Sequence, residues 1–295
     1  MTQPSASAKR SSGSSELLTL RDEIMERAFD AAGVERPIDP VSRLAQEVKA
    51  STDETAEHFL GQLPKHCTML VAAIADVLGA LAELDSDSPF SASVLTRGLV
   101  EAAADLFWLS DAAIDAKERT RRTCLVYLRQ HETLVRQMVE FSERHPEGDA
   151  AIPHLADGIA EGWESLKLSA EKMAAIGFEL RTSRQRGSKY SLGEPKPTIS
   201  RLVDALITKF LGTTGVNLYA IYSPTAHADG EGLGTLLIES DQVEEEGVVK
   251  YRRGFDEERW KGLVVGPALA AAKGAAGTWF KLALSPEAER PTESQ

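Results

Sequence analysis

The sequence predicts an all-α protein: an antiparallel helical bundle with an N-terminal helical extension and one small β-hairpin within residues 234–253. Three observations lead there. Apolar residues recur at three- and four-residue spacing through most of the chain, as one buried face of a helix requires. Glycine, proline and short polar residues punctuate those stretches where helix ends are expected. Strand-like patterning is confined to "GTLLIES" and "GVVKYRR", which flank the acidic stretch "DQVEEE".

Taken in order, residues 1–15 ("MTQPSASAKRSSGSS") are Ser-rich and aperiodic, so they bury too little to offset the entropy of ordering and read as a disordered tail. Residues 16–85 form an N-terminal helical segment. Leu17, Leu18, Ile24, Met25, Ala28 and Phe29 give its first helix, and "GVERPIDP" ends it, because Gly33 suits a C-terminal cap and Pro37 and Pro40 cannot continue a helix. Val41–Leu63 reads as one or two short helices. Pro64 then opens a strong helix with Leu70, Ile74, Val77, Leu78, Leu81 and Leu84 on one stripe. The loop "ELDSDSPFSAS" supplies capping residues for the next helix.

Residues 90–240 form the bundle core, with helices at Val94–Ser110, Asp115–His145 and Ala150–Leu180, the last carrying Pro153 in its first turn. A long polar connection, "RTSRQRGSKYSLGEPKPTISR", leads to helices at Arg201–Leu211 and Val216–Tyr222. Residues 241–285 supply the rest of the hairpin and a C-terminal helix packed on the core, and 286–295 are a polar tail. "GLVVGPALAAAKGAAGTWFKLAL" has the length of a membrane span. Lys273, Lys281, Pro267 and the excess of Ala over Leu make it a buried helix instead. Its Gly262-x-x-x-Gly266 and Ala270-x-x-x-Gly274 spacings predict close helix contact.

Composition excludes several classes. With 42% hydrophobic and 26% charged residues, the 295-residue chain is an ordinary globular protein. A net charge of −12 disfavours indiscriminate nucleic-acid binding by the whole surface, leaving only a local basic patch for that purpose. Cys67 and Cys124 are far apart and each lies in an apolar helical pattern, so they read as buried reduced thiols of a cytoplasmic protein. "SSGSSELLTL" is too polar for a secretory signal. The six histidines are scattered, and no paired Glu-x-x-His segments of a di-metal bundle occur, so neither a metal nor a cofactor is expected.

Three stretches could carry chemistry. In "VLTRGLVEAAADLFWL", Arg97, Glu101, Asp105 and Trp108 fall within one quadrant of the helical wheel. This is either a solvated face with an Arg97–Glu101 pair or the wall of a polar pocket containing Trp108. In "YSPTAHADGEGLG", Pro224 breaks a helix along which Tyr219, Ser223 and His227 would otherwise stack. The helix then ends near Tyr222 and restarts with Ser223 as its cap, aiming His227 away from the preceding axis. Gly230, Gly232 and Gly234 match no phosphate loop, and Ser223 with His227 lacks a third orienting group. Finally, Arg181, Arg184, Arg186, Lys189, Lys196 and Arg201 stand against Glu194 alone within one segment, with Tyr190 among them, which is the composition of an anion or RNA contact.

The combination of "TRGLVEAAADLFWL" with "LYAIYSPTAHADG" resembles a bacterial family of helical domains of unknown function related to the HEPN group. There an Arg-x-x-x-Glu helix packs near a late Tyr-x-x-(Leu)-Ser-x-x-x-His helix, and the likeness covers roughly Phe90 to Leu236. The resemblance implies an RNA-associated module, either an active or a degenerate ribonuclease, in which two protomers bring their sites together. It makes His227 a general base, with Arg97 and Glu101 beside it and Ser223, Tyr222, Tyr219 and Trp108 lining the ligand site. Arg184 and Arg186 would contact RNA. One departure matters. Where such ribonucleases carry an arginine ahead of the histidine, this chain has Tyr222, and neither Ile221 nor Ala220 is basic. Two other functions stay open: a non-catalytic adaptor for a protein partner, and a helical enzyme acting on a small organic molecule.

Overall fold

A computed structural model describes residues 12–29, 33, 35–84, 89–145, 154–182, 189–212, 219, 237–245, 248–255 and 261–284. Its elements are α1 (Ser12–Ala28), α2 (Arg43–Lys49), α3 (Glu54–Glu83), α4 (Pro89–Ser110), α5 (Ala116–Arg144), α6 (Leu155–Ala175), β1 (Leu180–Thr182), β2 (Tyr190–Leu192), α7 (Ile199–Leu211), β3 (Leu237–Glu245), β4 (Val248–Phe255), a π-helical turn (Lys261–Val265) and α8 (Gly266–Ala283). The protein is all-α, with two-stranded antiparallel pairs as its strand content among the described residues. The chain forms two compact units. Unit 1 combines Met1–Pro37, His66–Asp111 and Thr198–Leu282, and unit 2 combines Ile38–Lys65, Ala112–Pro197 and Ala283–Gln295.

Unit 1 is built on α1, the second half of α3, α4, α7 and α8. Ile24, Val71, Ile74, Leu78, Leu99, Leu106, Val203, Leu206, Ala271 and Ala275 form its buried core. Alternation of apolar positions by three and four puts these side chains on inward faces. α4 packs along α7, where the rings of Phe107 and Phe210 meet edge to face at 5.5 Å. The C-terminal helix is a core element, as its composition predicts, and Arg27 lies 4.7 Å over the ring of Phe280. Pro267 lies in the first turn of α8, directly after the π-helical turn. Of the two small-residue spacings, one marks close packing. A Cβ on Gly274 would lie 2.6 Å from the ring of Phe210, whereas one on Gly262 would meet nothing within 4 Å.

Unit 2 is built on α2, the first half of α3, α5, α6 and the β1–β2 pair. Asp115 caps α5, its carboxylate accepting from the Glu118 N–H at 2.8 Å. α5 and α6 cross closely at Gly162, where a Cβ would lie 2.8 Å from Cγ2 of Val135. The α5 thiol of Cys124 is fully buried, and that burial pushes its pKa up to about 12.

Several elements differ from the sequence expectation, each for a physical reason. Pro64 does not open a helix but lies inside α3, which Asp53 starts by accepting from the N–H groups of Thr55 (2.8 Å) and Ala56 (3.0 Å). Burial of Leu60 and Leu63 before the proline and Cys67 and Val71 after it outweighs the single lost backbone bond. α1 begins at Ser12, inside the stretch read as tail. α6 stops at Ala175, because Gly177 (φ 100°) turns the chain into β1. The polar connection therefore contains an antiparallel pair, with Leu180, Arg181 and Thr182 opposite Leu192, Ser191 and Tyr190. The expected later hairpin is present as β3–β4, but "DQVEE" continues β3 instead of turning.

Candidate functional site

The Arg97–Glu101 pair forms as its spacing predicts. One helical turn brings Nε of Arg97 to 2.7 Å from Oε1 of Glu101. The same carboxylate oxygen accepts the hydroxyl of Tyr219 at 2.9 Å, and Nη2 of Arg97 donates to that hydroxyl at 3.4 Å. The guanidinium carbon also lies 5.7 Å from the Tyr219 ring centroid. Two segments 118 residues apart are thus joined at a half-buried site in unit 1. Trp108, from the same stripe of α4, is 7% exposed and belongs to the core. Asp105 is half-buried. Ser223, Tyr222 and His227, with the Pro224 break and the glycines after it, lie outside the described residues, as do Arg184 and Arg186.

Electrostatics follow from this geometry. The Glu101 hydrogen bond, reinforced by its charge, holds the Arg97 guanidinium above its ordinary pKa despite partial burial. Tyr219 is also raised, chiefly by burial and then by donating to the Glu101 carboxylate, with Arg97 opposing. Because the folded state keeps the Tyr219 proton to higher pH than the unfolded chain, the site's contribution to stability is intact below about pH 10 and falls as pH rises beyond it. Unfolding measured across pH 8–11 is expected to show this loss, and Tyr219→Phe should show less of it. Unchanged alkaline sensitivity in the variant would remove Tyr219 as its source.

In the basic segment, Arg181 and Lys189 are held by neighbouring groups. Arg181 pairs with Glu179 at 2.7 Å. The Lys189 backbone N–H donates to both oxygens of Glu132 (2.9 and 2.8 Å), and its ammonium lies 4.4 Å from the Trp163 ring centroid. Arg121 ties the end of this segment to α5, donating to the carbonyls of Leu192 (2.9 Å) and Glu194 (2.7 Å) while Glu118 holds it from below. Sequence reasoning missed these supports. Glu132, 3% exposed in the middle of a charged helix, has no local signature beyond the nearby Arg136, which binds it at 2.6 Å.

Among the described residues, no group of three or more His, Cys, Asp or Glu side chains is placed to hold a metal ion. α3 is the one described helix long and apolar enough to cross a membrane. No family model matches the chain, and no curated protein or solved structure is significantly similar to it.

Proposed function

We propose that the protein is a HEPN-like helical module that associates with RNA in the cytoplasm, as a degenerate ribonuclease-like site or its binding counterpart. The observation that carries this reading is the hydrogen bond from Tyr219 to Glu101, which joins the Arg-x-x-x-Glu helix to the start of the His227 segment. Those are the two stretches on which the resemblance rests. The basic segment Arg181–Arg201 supplies complementary charge in a chain whose net charge is −12.

The Arg97 guanidinium is already held by a carboxylate, so a phosphate must compete with Glu101 for the same donors. That favours binding over fast cleavage, since a neutralised cation stabilises little developing charge. In an active version His227 is the general base and Arg97 the phosphate-neutralising group, with a second protomer completing the site. The internally satisfied Arg97–Glu101–Tyr219 network also favours a second reading, a non-catalytic adaptor in which this site only joins helices and the ligand is a protein.

The test is incubation of purified protein with labelled single-stranded and structured RNA, beside His227→Ala and Arg97→Ala variants whose helicity is checked by circular dichroism. The expected result is salt-sensitive binding, weakened in Arg97→Ala, with little cleavage. Neutralising Arg184 and Arg186 together should lower the slope of log affinity against log salt by about 1.4. Cleavage lost in both single variants would make the site an active nuclease. Absence of binding and cleavage with all proteins folded overturns the RNA reading in favour of the adaptor.

A further inference from the structure

We infer that a second RNA-phosphate contact surface, made of different residues from the Arg97 site, lies on the α5 face formed by Arg129, Arg136 and the Lys189 ammonium. The inference rests on the RNA reading above. Arg129 and Arg136 are seven residues apart, so they share one face of α5 about 10 Å from each other along the axis. Glu132 lies one turn from each. Its buried carboxylate accepts Nε and Nη2 of Arg136 (2.9 and 2.6 Å) together with the Lys189 N–H, so the backbone of Lys189 is fixed on the helix between the two arginines.

The charges on this face are only partly compensated. The Arg136 side chain is 52% exposed and shares Glu132. Arg129 is exposed, and neither its guanidinium nor the Lys189 ammonium has a carboxylate partner among the described residues. The Lys189 ammonium rests instead 4.4 Å from the Trp163 centroid and 5.6 Å from that of Tyr190. An aromatic face orients a cation without neutralising it, which leaves the ammonium's charge available to an anion. In a chain of net charge −12, this is a local reversal of sign on a rigid support. The cations are spread over two helical turns and do not converge on one point, which suits consecutive phosphates of a strand better than a single small anion.

The experiment is a titration of a labelled single-stranded oligouridylate at several salt concentrations with wild type, Arg129→Gln, Lys189→Gln, the double variant and Arg97→Gln. The expected result is a loss of about threefold for each single variant on this face and about tenfold for the pair. The salt slope of the double variant should fall by about 1.4, with helicity and thermal midpoint retained. The same losses are expected in the Arg97→Gln background, as independent sites require. Arg129→Gln keeps the test sound, because that side chain supports no other described residue. Wild-type binding unchanged in the double variant overturns this surface and leaves the RNA reading standing. No binding by wild type overturns both.

Discussion

Glu47→Ala is expected to cost about 3–5 kcal/mol of stability, because it leaves a buried arginine without its counter-ion. Arg119 is fully buried, and its Nε donates to Oε2 of Glu47 at 2.7 Å. Oε1 of the same carboxylate accepts Nε of Arg43 at 2.8 Å. Arg43 in turn donates to the carbonyls of Ala112 and Ile114, each at 2.7 Å, and Arg119 reaches Ile114 at 3.3 Å. Glu47 is therefore the shared acceptor that lets two guanidinium groups fix the turn before α5. Urea unfolding followed by circular dichroism should show a large drop in midpoint for Glu47→Ala. The pair Glu47→Leu with Arg119→Met should recover much of it, since it leaves no fully buried charge and Arg43 is 43% exposed to water. A Glu47→Ala midpoint equal to wild type would mean that water compensates Arg119.

The second large effect is expected at Gly274. Its substitution by alanine would bring a methyl group to 2.6 Å from both Cγ and Cδ1 of Phe210. The clash is with the root of the ring, where the side chain has least freedom to yield. Overpacking of this kind costs about 1–3 kcal/mol, which exceeds the roughly 1 kcal/mol that alanine gains over glycine within a helix. Gly277, three residues along the same helix, is the control, because a methyl group there would meet nothing within 4 Å. Thermal unfolding should therefore place Gly274→Ala below wild type and Gly277→Ala slightly above it. Stabilisation by both substitutions would show that α7 yields at Phe210 without cost.

Helix periodicity carried most of the fold into the sequence, because each amphipathic face repeats its signal every turn. α5 was legible in this way to within a residue at either end, and so was α4 except for its first turn, Pro89–Ser93, which reads as part of the preceding loop. Pro64 was not, since local rules place a proline at a boundary and only the buried residues on both sides justify one in mid-helix. β1 and β2 are three residues each, too short for alternation to register. At the candidate site, the Arg97–Glu101 pair follows from i, i+4 spacing, whereas its junction with Tyr219 is a tertiary contact that no local pattern encodes. Arg119 looked like its neighbours Arg121 and Arg122 in "KERTRR", and only its partner on α2, 72 residues away, distinguishes it.

The order in which the chain is made gives the interleaving of the two units a temporal meaning. Unit 2 has all but its last stretch once Pro197 has been synthesised, whereas unit 1, which includes α1, still lacks Thr198–Leu282. At ordinary elongation rates of about 5–20 residues per second, that missing portion takes several seconds to appear. During that interval the apolar faces of α1 and α4 have no α7 or α8 to cover them, so α1, made before any element of unit 2, is buried after them.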